Sequence, residues 1–203
     1  MQTISDIVQF VTPEVPGATD DEVVAKLREA LRRFCMETEA WTQKIEVDTV
    51  ADQAAYDVIP EGDALIKRVV SVKLKANDSD DFDDIIPTNA AFYEVDSTGL
   101  GITFYNGYEP NDTRTDGMEV RIALQPTLTC ESVDTDLMDR YAEAIYSLAK
   151  HLLMRMSGRM FFNPDMAKFY FDEYRRFSAT ATREKYTENK NQDMVVRQLG
   201  GLL

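Results

Sequence analysis

Five aspartates crowd one short stretch of the chain: Asp78, Asp80, Asp81, Asp83 and Asp84. Hard cations such as calcium need several carboxylates converging on one point, so metal chemistry is the first reading to test there. The spacing argues against it. Phe82 interrupts the run, no glycine follows where a calcium loop turns, and no distal glutamate closes a site. The stretch reads better as a solvated hairpin tip whose like charges repel and discourage edge-to-edge pairing. His151 is the one histidine. A catalytic histidine needs a nucleophile and an orienting acid, and the chain holds neither G-x-S-x-G nor C-x-x-C. We therefore expect His151 to be a helix residue, packed or half-exposed. Phosphate loops of the G-x-x-x-x-G-K-S/T and G-x-G-x-x-G types are missing too, and Gly99-Leu100-Gly101 reads as a turn. Cys35 and Cys130 lie far apart in apolar contexts and read as two buried thiols. The expectation is a chain with no catalytic residue, metal or cofactor, and not an enzyme.

The aromatic run Phe169, Tyr170, Phe171 and Tyr174 could stack nucleic-acid bases, but such platforms sit in basic grooves. Helical core spacing explains most of the run, with Met166, Phe169, Tyr170, Tyr174, Phe177 and Ala181 on the inner face. Phe171 falls off that face, and Phe161 and Phe162 sit in a turn. These three are candidate interface anchors, because exposed aromatic side chains concentrate binding energy.

The elements that would position these groups fall into three regions. A short helix at Ser5–Val11 is ended by Pro13 and Pro16. Thr19 or Asp20 then caps a helix with the stripe Val23, Val24, Leu27, Ala30, Leu31, Phe34 and Cys35. Trp41 follows as a plug at a helix–sheet junction. The middle turns to strand periodicity: residues 44–50, 55–59, 65–74, 102–105 and 119–124, with one helical turn near 89–94. In the third strand Val70, Val72 and Leu74 alternate onto one face. The last third is a helical hairpin. Its first helix runs from caps at Asp134–Asp136 to about Met156, with the stripe Leu137, Tyr141, Ala144, Ile145, Leu148, Leu152 and Met156. Gly158 turns the chain, and Asn163 and Pro164 start the second helix. The fold class expected is α+β: an antiparallel helical bundle with an inserted small antiparallel β-domain. The helical body takes 1–42 and 132–184, the β-rich insert 43–131, and an extended, weakly structured tail 185–203.

Charge sets further limits. The net charge of −14 is uneven: residues 1–137 carry 28 Asp/Glu against 11 Lys/Arg, and residues 138–203 carry 8 against 11. An acidic surface repels phosphate and disfavours tight nucleic-acid binding. No run approaches the roughly 18 apolar residues a membrane span needs, and the acidic start lacks the basic region of a secretory signal.

Four segments carry a resemblance of pattern and order. They are the helix Val24–Trp41, the strand pair Ile45–Val58, the strand Ile66–Leu74, and Val120–Thr127 leading into Asp139–Ile145. Across about residues 20–180 the chain resembles the head–tail adaptor, or connector, proteins of tailed bacteriophages. The resemblance implies a structural virion part made in the host cytoplasm and placed at the head–tail junction. Such proteins form rings, usually of twelve copies, that dock on the portal, extend the DNA channel and offer a platform for tail assembly. The β insert would face tail tube, nozzle or fibre proteins, with Asp80, Asp81, Asp83 and Asp84 as a candidate tail-facing loop. The C-terminal segment would clasp the portal, which makes Val195, Arg197 and Leu199 candidate contacts. The charge asymmetry adds Arg175, Arg176 and Arg183 as residues facing a neighbouring subunit or the portal. Rival readings are a tail-completion or tail-tube protein, and a soluble binding module with a pocket in the β insert.

Overall fold

A computed structural model of the chain describes residues 1–75, 84–86, 93–105 and 109–199, with backbone alone at 84–86, 93 and 188–199. The fold is α+β with antiparallel sheets. It divides into two compact units: residues 1–40 with 128–203, and residues 41–127.

The first unit is mostly helical. Strand β1 (Gln2–Thr3) pairs with β9 (Ser132–Val133) in a short antiparallel ribbon. Helix α1 (Ile4–Ile7) runs into two 3-10 turns at Val8–Phe10 and Thr12–Glu14. Helix α2 (Asp20–Thr38) opens on a reciprocal capping box. The Thr19 hydroxyl accepts from the Glu22 amide, and the Glu22 carboxylate accepts from the Thr19 amide at 3.0 Å. That satisfies two of the donors a helix start leaves orphaned. Its buried face is Val23, Leu27, Ala30, Leu31, Phe34, Cys35 and Thr38, the expected stripe with Val24 moved to the half-buried edge. Helix α3 (Thr135–Met154) starts at Asp134, whose side chain accepts from the Leu137 amide at 3.1 Å. Leu153 and Met154 are buried, whereas Leu152 and Met156 are only half-buried. The last turn therefore rotates by about one residue from the expected stripe.

Gly158 takes φ +81° in the turn, a conformation side chains make costly. Asn163 accepts from the Met166 amide at 3.1 Å, and Pro164 is the first residue of α4 (Pro164–Leu199). Contacts join His151 to Ala167 and Tyr141 to Glu184, so α3 and α4 run in opposite directions. The buried line of α4 is Ala167, Tyr170, Tyr174, Ala181 and Lys185. Met166 and Phe169, expected inside, are exposed. Helical spacing alone admits either edge of a broad aromatic band, and small Ala167 allows the closer approach to α3.

The expected extended tail is a correction. α4 continues through residues 185–199 as helix. The stretch lacks an apolar stripe, which suggested weak structure. It is rich in Lys, Glu, Gln and Arg, and lengthening an existing helix avoids the cost of a new nucleus.

The second unit holds two antiparallel sheets. One has the order β2 (Thr42–Thr49), β8 (Arg114–Pro126), β4 (Ala64–Leu74) and β5 (Asp84–Ile86). The other has the order β3 (Ala55–Asp57), β7 (Gly101–Phe104) and β6 (Tyr93–Val95). Tyr93–Val95 is thus strand where a helical turn was expected; the rest of that expected turn, up to 92, lies outside the described residues. Central β8 is buried along most of its length, with Met118, Val120, Ile122, Ala123 and Leu124 fully inside. Tyr56 of β3 meets Phe104 of β7 edge-on at 5.9 Å. Trp41 is buried, and its carbonyl accepts from the Leu124 amide at 2.8 Å.

β4 departs from simple alternation. Its register against β8 shifts between Ile66 and Arg68 and again between Val69 and Ser71. Each shift inserts an unpaired residue and re-aims the next side chain. The buried positions become Ile66, Val69 and Val72, a step of three where Val70, Val72 and Leu74 were expected on one face.

Candidate functional site

The side chains expected to act as surface anchors are sorted by the α3–α4 turn. Phe161 is 5% exposed and belongs to the core, which corrects its reading as an exposed anchor. Its neighbour Phe162 points out at 44%, and Met160 stands 91% exposed. The amide of Phe162 donates to the Arg159 carbonyl and that of Asn163 to the Met154 carbonyl. These bonds fold the turn tightly enough to send adjacent aromatic rings in opposite directions. One turn into α4, Met166 is 37% and Phe169 53% exposed. They lie three residues apart, on one face. Met160, Phe162, Met166 and Phe169 thus gather four large apolar side chains on a surface segment of ten residues. Isolated exposed apolar side chains are ordinary; a group of them marks an interaction surface.

Phe171 is half-buried rather than exposed. It stacks on His151 with centroids 4.7 Å apart and lies against Tyr174 at 6.2 Å. The Arg33 guanidinium sits 5.9 Å from its ring. Arg33 Nε donates to Glu37 Oε1 at 2.8 Å, and the Tyr174 hydroxyl donates to Glu37 Oε2. Burial, reinforced by the Glu37 carboxylate, raises the Tyr174 phenol well above its ordinary value. The Glu37 bond holds the Arg33 guanidinium in its charged form. Sequence reasoning missed this cluster, since Arg33, Glu37, Phe171 and Tyr174 come together only when α2 and α4 pack.

His151 is buried. Its Nδ1 lies 2.8 Å from the Ala167 carbonyl, and a carbonyl can only accept, so Nδ1 carries the proton in the neutral ring. Burial lowers the imidazole pKa; the Ala167 bond opposes that, and Arg155 and Arg33 lower it further. The ring ties the end of α3 to the first turns of α4. Among the described residues, no group of three His, Cys, Asp or Glu side chains could hold a metal. Cys35 and Cys130 are both buried, and no disulfide joins them.

A groove of about 560 Å³ runs along the outer face of α2. Ala25, Arg28, Arg32, Met36 and Leu128 line it, with Arg33 at the edge of the cluster just described. Met36 is 46% and Leu128 75% exposed. Arg28 Nε donates to the Cys130 carbonyl at 2.8 Å, which fixes one wall. Glu29 and Glu37 add two carboxylates against three arginines. The groove lies on the helical unit, whereas the binding-module reading expected a pocket in the β insert.

Of the expected basic contacts, Arg175 and Arg183 are exposed on α4. Arg176 is exposed too, but it pairs with Glu173 at 2.8 Å and covers the Phe177 ring at 4.9 Å. Val195, Arg197 and Leu199 lie on the helical backbone of α4; their side chains fall outside the described residues. Asp80, Asp81 and Asp83 also fall outside the described residues. Asp84 does not belong to a loop tip: it is in β5, opposite Leu74 of β4. Among the described residues, no helix is long and apolar enough to cross a membrane. Set against known protein families and characterised proteins, the chain matches none.

Proposed function

We propose that this chain is a structural subunit of a tailed virus particle: a non-enzymatic adaptor that assembles as a ring on the portal. It continues the DNA channel and serves as the platform on which the tail assembles. The observation that carries this reading is the group of outward apolar side chains at Met160, Phe162, Met166 and Phe169, displayed on the α3–α4 turn and the start of α4. A surface built this way is suited to binding another protein. His151 supports a packing role, because its Nδ1 proton is held by a backbone carbonyl and its face by Phe171. In this reading α2, α3 and α4 form the antiparallel bundle of the ring body, and the β unit faces tail components.

Charge supports the same reading. A conduit must let DNA slide, and carboxylates repel phosphate where lysines and arginines would hold it. A net charge of −14 per subunit suits a passage but strains a ring of copies. The relatively basic residues 138–203 offer local relief, and among the described residues no ion pair holds Arg175 or Arg183 as Glu173 holds Arg176. Reversing Arg175, Arg176, Arg183 and Arg197 to glutamate should abolish ring or portal assembly while the monomer keeps its circular dichroism spectrum and melting cooperativity. Normal assembly by that variant contradicts the proposal.

A further inference from the structure

We infer that strand β2 is the seat for a second copy of this chain, whose own β2 adds to it antiparallel across a two-fold axis at Ile45. β2 is an eight-residue edge strand of its sheet. The Leu124 amide donates to the Trp41 carbonyl at 2.8 Å, and Thr42 lies opposite Ala123. Trp41, Gln43, Ile45 and Val47 therefore turn their backbone groups toward β8, and Thr42, Lys44 and Glu46 turn theirs to the open edge. Among the described residues, β8 is the one strand that pairs with β2, and no hydrogen bond reaches the outward amides and carbonyls of Thr42, Lys44 and Glu46. A row of open donors and acceptors in a strand that also carries the β-branched Thr42, Ile45 and Val47 is a template for another strand.

The charges of the strand select the occupant and the register. Opposed residues of an antiparallel pair either both aim their backbone groups into the gap or both aim them away, so two copies of β2 meet only with the axis on a residue. With the axis on Lys44 or Glu46, like charges oppose each other at the centre. With it on Val47, Glu46 opposes Asp48, and with it on Gln43 only Thr42–Lys44 overlap. With it on Ile45, Lys44 of each copy faces Glu46 of the other, and Ile45 meets Ile45 where cross-strand side chains come closest. Charges on an edge commonly keep other chains off; here a single register turns them into cross-strand pairs. The sheet itself sets like charge beside both: Lys44 lies opposite Arg121 of β8, and Glu46 opposite Glu119. Lys44 reaches Glu119 at 3.2 Å, yet its side chain stays 60% exposed, and Lys73 shares that carboxylate at 3.6 Å. The second copy's Lys44 thus brings to Glu46 the opposite sign on its open side. Ile45 and Val47, both half-buried, gain cover from the added strand. The contact is two-fold, so it closes on itself as a dimer and builds no ring. It goes beyond the adaptor reading and does not rest on it.

Charge exchange in the full chain tests the contact. The wild type should show a concentration-dependent dimer by sedimentation at up to about 1 mM, since one strand edge makes a small interface. Lys44→Glu alone and Glu46→Lys alone each set like charges across the gap. Each should weaken the dimer at least about tenfold, the scale of two cross-strand pairs changing sign. Mixing the two variants restores opposite charges at both crossings, so the mixture should dimerise about as well as the wild type. Mixing cannot repair the Lys44–Glu119 bridge lost inside one chain, which separates the contact from an effect on folding. Cysteines fix the register, and the buried Cys35 and Cys130 do not compete. Mild oxidation should link Ile45→Cys to itself, whereas Val47→Cys should link to Gln43→Cys and poorly to itself. A wild type that stays monomeric at about 1 mM, a mixture no better than its components, or faster self-linking by Val47→Cys than by Ile45→Cys overturns the inference. So does protection of Ile45→Cys from maleimide by a portal ring but not by added wild-type chain, which assigns the edge to that partner. Layers on a portal without a dimer in solution remove this contact and leave the adaptor reading standing. A dimer that never layers on a portal does the reverse.

Discussion

Glu37 is the side chain through which α2 holds α4. One of its oxygens accepts a hydrogen bond from Arg33 Nε, and the other accepts one from the hydroxyl of a nearly fully buried Tyr174. Tyr174→Phe removes one donor but leaves Glu37 paired with Arg33. The expected cost is about 1 kcal/mol by urea denaturation, the ordinary net worth of one hydrogen bond. His151 adds a pH term. Its folded pKa lies below the ordinary 6.5, so the folded state prefers the neutral ring more than the unfolded state does. That stability is complete above about pH 6.5 and declines as pH falls below it, toward the lowered folded value. The wild-type-minus-His151→Gln difference in unfolding free energy should shrink between pH 7 and pH 5. A flat difference contradicts the burial account. Apart from the local Arg33–Glu37 pair, these contacts were hidden in the sequence, since they join groups that are distant along the chain. Phe161 and Phe162 show the limit most plainly: the same residue type at adjacent positions ends up 5% and 44% exposed, and only the hydrogen bonds of the turn decide which.

The elements whose local chemistry agreed with their packing were the most legible. Thr19, Asp134, Asn163 and Pro164 are strong local signals, and each stands at a helix start. Breaking such a signal has a foreseeable cost: Thr19→Ala should lose about 1 kcal/mol, since it removes the hydroxyl that accepts from the Glu22 amide and leaves only the backbone half of the capping box. β4 was legible as a strand but not in its facing, because register shifts depend on the partner strand. The same dependence governs Gly117 in β8. A Cβ there would overlap Thr49 Oγ1 and lie 3.0 Å from Arg114 Cβ. Thr49 cannot easily yield, as its hydroxyl donates to the Asp112 carbonyl at 2.9 Å. Gly117→Ala should cost about 1–3 kcal/mol, as overpacking does. Thr49→Ala in the same chain should recover part of that loss. Strict additivity of the two changes, measured as a double-mutant cycle, contradicts the steric account. α4 was half legible: its start is written in Asn163-Pro164, but its length beyond residue 185 depends on helix continuing where no apolar stripe demands it.

Across the whole chain, the division into a mainly helical unit and a β unit follows from the change of period near residues 41 and 127, where apolar spacing switches between helix and strand. The acidic surface and the outward apolar segment at 160–169 belong together if copies of the chain stand side by side around a passage for DNA. Apolar contact then supplies association, the relatively basic residues 138–203 relieve repulsion between subunits, and the remaining carboxylates keep phosphate from sticking. The test that bears on this most directly is to mix the purified chain with a portal ring and image the product by cryo-electron microscopy. The expected image shows an added annular layer with carboxylates toward an open centre. A portal ring that stays bare at saturating chain concentration, or a layer whose central opening is lined by arginine and lysine, would contradict it.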